Sequence, residues 1–135
     1  MIDTGPFVSY LHRNDPRHDD VANFINSFRG QLATTGAVIG EVMYFLSEFP
    51  SGPVAFAKLL ISSHVQVVEL IQPARALAAA ELMQKYSDTP MDFADATLVL
   101  LAEELGVIEI LTLDRRGFST YRTGKGRAFR LVLEG

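Results

Sequence analysis

The side chains in this sequence that folding explains least well are carboxylates. Asp3 follows the apolar pair Met1-Ile2, and Asp114 follows the apolar run Val107 to Leu113, so each stands where a strand gives way to a turn or helix. In an open parallel sheet that edge is where ligands gather. Glu41 lies between Val38 and Phe45, beside the apolar stripe of its helix and not opposite it. Asp95 falls past the first turn of a helix read as starting at Pro90, with Thr89 as N-cap and Asp92 at N3, so capping does not account for it. Asp92 and Asp95 share a face at i and i+3 spacing. Two like charges there are unfavourable unless a cation lies between them.

Carboxylates that converge in a cleft repel one another and raise one another's pKa. A hard divalent cation relieves this. Mg²⁺ or Mn²⁺ takes oxygen ligands, needs few direct carboxylates and keeps waters and substrate phosphate oxygens in its shell. Such ions activate water and stabilise charge at a phosphodiester. The pattern therefore implies metal-dependent phosphodiester hydrolysis. Other chemistries lack their residues. The chain has no cysteine, which excludes disulfides, thiolate metal sites and Cys nucleophiles. His12, His18 and His64 show no zinc spacing, and there is no Gly-x-Ser-x-Gly element. Thr123-Gly124-Lys125-Gly126-Arg127 lacks the phosphate-loop spacing.

The elements that must position these acids alternate between helix and strand. Helical patterns cover Thr4 to His12, Asp19 to Phe28, Ala37 to Phe49, Val54 to Ser62, Ala74 to Tyr86, and the segment after Thr89. Short apolar strands are expected at Gln31 to Thr34, Val65 to Leu70, Val107 to Leu113 and Phe129 to Leu133, the third buried on both faces. Only Met1 and Ile2 precede Asp3, so either the first strand is very short or the natural chain starts upstream. The alternation predicts one three-layer α/β/α domain over residues 1–135, with a short parallel central sheet.

Taken in order, Ile2-Asp3-Thr4, then Thr34-Thr35-Gly36-Ala37-Val38-Ile39-Gly40-Glu41-Val42, then Met91-Asp92-Phe93-Ala94-Asp95-Ala96, then Ile110-Leu111-Thr112-Leu113-Asp114-Arg115-Arg116-Gly117-Phe118 resemble a PIN domain. The similarity is strongest to the VapC-type toxins of toxin–antitoxin pairs, and it covers essentially the whole chain. The resemblance implies a Mg²⁺- or Mn²⁺-dependent endoribonuclease. By position, Asp3, Glu41, Asp95 and Asp114 match the acidic quartet, with Asp3, Asp95 and Asp114 as the metal ligands. Asp92 matches an extra acid found in part of the family, and Thr4 and Thr112 match hydroxyl positions beside the acids. The resemblance also implies a homodimer and a VapB-like antitoxin whose C-terminal segment fills the groove.

Charge and hydropathy bear on partners. The net charge is −4, but residues 1–114 carry fifteen acids against six bases, whereas residues 115–135 carry six bases and only Glu134. Arg115 and Arg116 directly follow Asp114, where they can bind RNA phosphates that the carboxylates repel. No cluster of exposed aromatics is expected, and so no base-reading surface. His18 lies in a loop that could flank the cleft. No apolar run approaches the ~20 residues of a membrane span, and the N-terminus has no signal-peptide pattern, so a cytoplasmic protein is expected. Two other readings remain at this point: a non-catalytic PIN-like module that binds RNA or antitoxin, and a structure-specific DNA nuclease of related fold.

Overall fold

The computed structural model describes residues 1–133. The helices are α1 (Thr4–Leu11), α2 (His18–Ser27), α3 (Gly36–Leu46), α4 (Gly52–Ser62), α5 (Pro73–Lys85), α6 (Phe93–Leu105) and α7 (Arg115–Thr120). The strands are β1 (Ala33–Thr35), β2 (Gln66–Val68), β3 (Glu109–Ile110) and β4 (Arg130–Leu131). The last two residues of the expected domain span, including Glu134, lie outside the described residues.

Two parallel pairs, β1 with β2 and β3 with β4, flank the N-terminal residues. Ile2 N–H donates to Ala33 O at 2.9 Å, and the Thr34 hydroxyl donates to Ile2 O at 2.8 Å. On the other side Leu111 N–H donates to Met1 O at 2.7 Å, and Asp3 N–H donates to Leu111 O at 3.0 Å. The short N-terminal segment is thus the middle of the sheet, in the order β2, β1, Ile2, β3, β4. Ile2 is fully buried there. This position places Asp3 beside the chain that leads from β3 to Asp114.

Strands are shorter than the apolar runs suggest. Of Val107 to Leu113, only Glu109 and Ile110 form ladder, with Leu111 bridged to Ile2. Ile110 and Leu111 are buried, but Val107 and Ile108 are partly buried and Glu109 is exposed, so the run is not covered on both faces throughout. An apolar run reports burial, and it cannot say how many residues find a hydrogen-bonding neighbour.

The largest shift is at α6. Thr89 is not its cap: the helix starts at Phe93, with Asp92 as N-cap and Asp95 at N3. Asp95 N–H donates to Asp92 Oδ1 at 2.8 Å, and Asp92 N–H donates to Asp95 Oδ2 at 3.2 Å. This reciprocal capping box satisfies two donors that the helix leaves unpaired. Capping therefore does account for Asp95, contrary to the sequence reading. Asp92 wins the cap because both carboxylates can bond backbone from there. The core of the domain is α6 itself, buried continuously from Ala94 to Ala102 and packed against α3, α5 and β1.

Candidate active site

Three helix starts deliver carboxylates to one place. Asp3 is the N-cap of α1, Asp92 of α6 and Asp114 of α7. An anion is favoured at a helix N-terminus by the unpaired amides and the helix dipole. Asp3 Oδ1 accepts Thr4 N–H at 2.7 Å, and Asp114 Oδ1 accepts Gly117 N–H at 2.9 Å. The same side chains therefore start the helices and line a cleft of about 450 Å³. Asp95 and Glu41, from the first turn of α6 and the middle of α3, complete its acidic wall.

The structure brings together Asp3, Thr4, Glu41, Asp92, Asp95 and Asp114 along that cleft. Thr112 does not line it but stands behind it. Its hydroxyl donates to Asp3 Oδ2 at 2.8 Å and accepts Asp114 N–H at 3.0 Å. Arg115 and Arg116 are exposed on α7, outside the cleft lining, and join none of the ion pairs among the described residues. His18 does not line the cleft but adjoins its wall: it opens α2, its backbone N–H donates to the carbonyl of Asp15 at 3.0 Å, and its Nδ1 lies 2.9 Å from Ser9 O.

Gly5, Val8, Asp15, Phe45 and Leu113 also line the cleft and carry no site assignment from the sequence; Asp15 and Phe45 bear on its chemistry. Asp15 lines the cleft from the turn after α1, where its Oδ1 takes Ser9 Oγ at 3.0 Å and Arg17 N–H at 2.8 Å. Asn14-Asp15-Pro16 reads as a turn in the sequence, but nothing local shows that the turn folds back over the acids. Phe45 lines the cleft one helical turn after Glu41 and is 56% exposed. Tyr44 and Phe49 are exposed beside it, so this surface does carry clustered aromatics. Periodicity gave the angle of these residues on α3 but not where its neighbours end.

The electrostatics are those of an anionic site short of positive charge. Burial raises the Asp3 pKa to about 6, with the Asp92 and Asp114 charges adding to the rise and the Thr4 and Thr112 hydrogen bonds opposing it. Burial raises Asp95 to about 8, followed by the charges of Asp3 and Asp92. Glu41 is raised by burial, opposed by the Thr4 hydroxyl, with Asp92 and Asp3 adding further. Tyr121, whose hydroxyl donates to Pro90 O at 2.9 Å, is raised by burial and by Asp95. Carboxyl groups that resist ionisation through burial and mutual repulsion fit a hard divalent cation, which would favour their charged forms. No three of them form a ready-made ligand cage among the described residues.

The fold and cleft together define a small α/β protein with an acidic site at the carboxyl edge of a parallel sheet. The PIN domain family matches residues 1–123, and the chain belongs to that family. Ribonuclease VapC26 of Mycobacterium tuberculosis is 29% identical to it over 133 residues, 98% of each chain. The crystal structure of Mycobacterium tuberculosis VapC20, described as a sarcin-ricin loop cleaving toxin, shares the fold. It has a TM-score of 0.75 at 22% identity, covering 84% of this chain and 88% of the other. Among the described residues no helix is long and apolar enough to cross a membrane.

Proposed function

We propose that this chain is a VapC-type toxin endoribonuclease that hydrolyses RNA phosphodiester bonds with Mg²⁺ or Mn²⁺. The observation that carries this reading is the convergence of Asp3, Glu41, Asp92, Asp95 and Asp114 on one cleft, with Asp3 and Asp95 strained toward their neutral forms. A site that costs stability in this way is of no use to a module that only binds.

Asp3, Asp95 and Asp114 are the residues that would hold the cation, directly or across water. The bound ion would lower the pKa of a water and offset charge on the phosphate. Glu41, partly exposed at the cleft wall, would orient the attacking water and accept its proton. Thr112 keeps Asp3 in its charged, ligating orientation through the 2.8 Å bond. Asp92 holds Asp95 through the capping box. Arg115 and Arg116 supply phosphate contacts at the rim.

The same reading brings a VapB-like antitoxin as partner, a homodimer and a cytoplasmic location. The exposed Phe45, which lines the cleft, and Phe49 beyond it give an antitoxin segment an apolar anchor beside the acids. The test is cleavage of RNA with Mg²⁺ or Mn²⁺ by the wild type and by Asp3→Asn and Asp95→Asn. Wild-type cleavage abolished by both substitutions is expected, and variants as active as the wild type would defeat the assignment.

A further inference from the structure

The Thr4 hydroxyl is the one buried polar side-chain atom without a hydrogen-bond partner among the described residues. Thr4 is 6% exposed and opens α1. A threonine inside a helix usually returns its hydroxyl to a carbonyl in the preceding turn. At the first residue of a helix no such turn lies beneath it. The Asp3 carboxylate next door accepts Thr4 N–H and the Thr112 hydroxyl but no bond from the Thr4 hydroxyl.

The cleft contains a matching vacancy on the acceptor side. Asp3, Asp15, Asp92, Asp95 and Asp114 each accept at least one hydrogen bond. Glu41 is the cleft carboxylate that accepts none among the described residues. Thr4 is the only lining side chain that carries a donor in every protonation state, since the others are carboxylic or apolar. Helices α1 and α3, which carry Thr4 and Glu41, pack directly on each other. The hydroxyl also lies close enough to Glu41 to favour its charged form. A buried hydroxyl left unpaired is a net cost to folding, so its retention needs a use.

We propose that Thr4 is a positioning residue for Glu41: its hydroxyl is the donor reserved for the Glu41 carboxylate and fixes the orientation in which Glu41 meets the attacking water. The role assigned to Glu41 rests on the endoribonuclease reading, whereas the hydrogen bond itself does not.

A double-mutant cycle separates the two. Thermal unfolding of the metal-free protein is compared for wild type, Thr4→Val, Glu41→Ala and the double variant, with Thr4→Ala as a smaller replacement should valine fold poorly. Removal of the hydroxyl is expected to lower Tm by about 2 °C or more in the Glu41 background relative to its effect in Glu41→Ala. Equal shifts in both backgrounds overturn the proposal. In RNA cleavage, Thr4→Val is expected to lower kcat about 10-fold or more with KM little changed, Thr4→Ser to restore it, and Thr4→Val to cost nothing further in Glu41→Gln. A raised KM with kcat kept would assign the hydroxyl to the substrate phosphate and overturn the proposal. If the wild type fails to cleave RNA, the endoribonuclease reading falls, and the unfolding cycle still decides whether the bond exists.

Discussion

The Thr112 hydroxyl bonds the Asp3 carboxylate at 2.8 Å across 109 positions of sequence, and the same oxygen receives Asp114 N–H at 3.0 Å. One buried side chain thereby fixes two acids that begin different helices. Thr112→Val leaves Asp3 with a single donor and Asp114 N–H with none. Removal of a buried hydroxyl bonded to a charged group is expected to cost about 1.5–3 kcal/mol, read by chemical denaturation. Mn²⁺ affinity, measured by calorimetry, is expected to fall as well, because Asp3 resists ionisation more strongly.

Asp3→Asn separates function from stability. The carboxylate is buried among other acids, so the amide relieves repulsion in the metal-free protein. The expected outcome is a higher Tm without metal, together with loss of Mn²⁺-induced stabilisation and RNA cleavage reduced at least ~100-fold, in the manner of sites that trade stability for activity.

The metal-free protein is expected to lose stability as pH rises. Asp3 and Asp95 have folded-state pKa values of about 6 and about 8, above the 3.8 of an unperturbed Asp. Between those limits the folded state holds more protons than the unfolded state, so stability falls with increasing pH. The contribution is fully present below pH 4 and is lost as pH passes through about 6 and then about 8. Tm measured from pH 5 to 9 in chelator should decline, and saturating Mg²⁺ should flatten the decline. A flat chelated profile would show that the two acids are not held neutral.

Asp92 carries a structural role that can be separated from chemistry. Asp92→Asn keeps an N-cap acceptor and Asp92→Ala removes it. The alanine variant is expected to lose about 1 kcal/mol relative to the asparagine variant in urea denaturation. If both variants lose RNA cleavage equally, the Asp92 charge acts in the reaction; if only the alanine variant does, the carboxylate serves as a cap.

Arg115→Gln and Arg116→Gln are expected to weaken RNA binding without changing the Tm of the protein, since both side chains are exposed and outside its ion pairs. Each lost phosphate contact should reduce the slope of log affinity against log salt by about 0.7 on single-stranded RNA. A slope unchanged in both variants would remove these arginines from the binding surface.

The sequence by itself determined the elements and the acids. Helical periodicity placed Val21, Phe24, Ile25 and Phe28 on one face of the second helical pattern, and Val38, Ile39, Val42, Phe45, Leu46 and Phe49 on one face of the third; Val21, Ile25, Val38, Val42 and Leu46 are buried, whereas Phe28, Phe45 and Phe49 are exposed. The order of Asp3, Glu41, Asp95 and Asp114 matched the acidic quartet of the PIN pattern, while the capping roles of Asp3, Asp95 and Asp114 emerged only with the helix starts. Local chemistry reaches a few residues in each direction, and these features lie within that reach. Tertiary structure decided the rest. Ile2 becomes the centre of the sheet only because β1 and Leu111 pair with it from both sides. Asp15 and Phe45 enter the cleft through packing between distant segments. The cap at Asp92 in place of Thr89 was set by a reciprocal pair of bonds with Asp95. The orphaned Thr4 hydroxyl and the unpaired Glu41 carboxylate become a matched pair only when α1 lies against α3. Hydrogen bonds act over about 3 Å, and no spacing along the chain can report a distance that the fold alone closes.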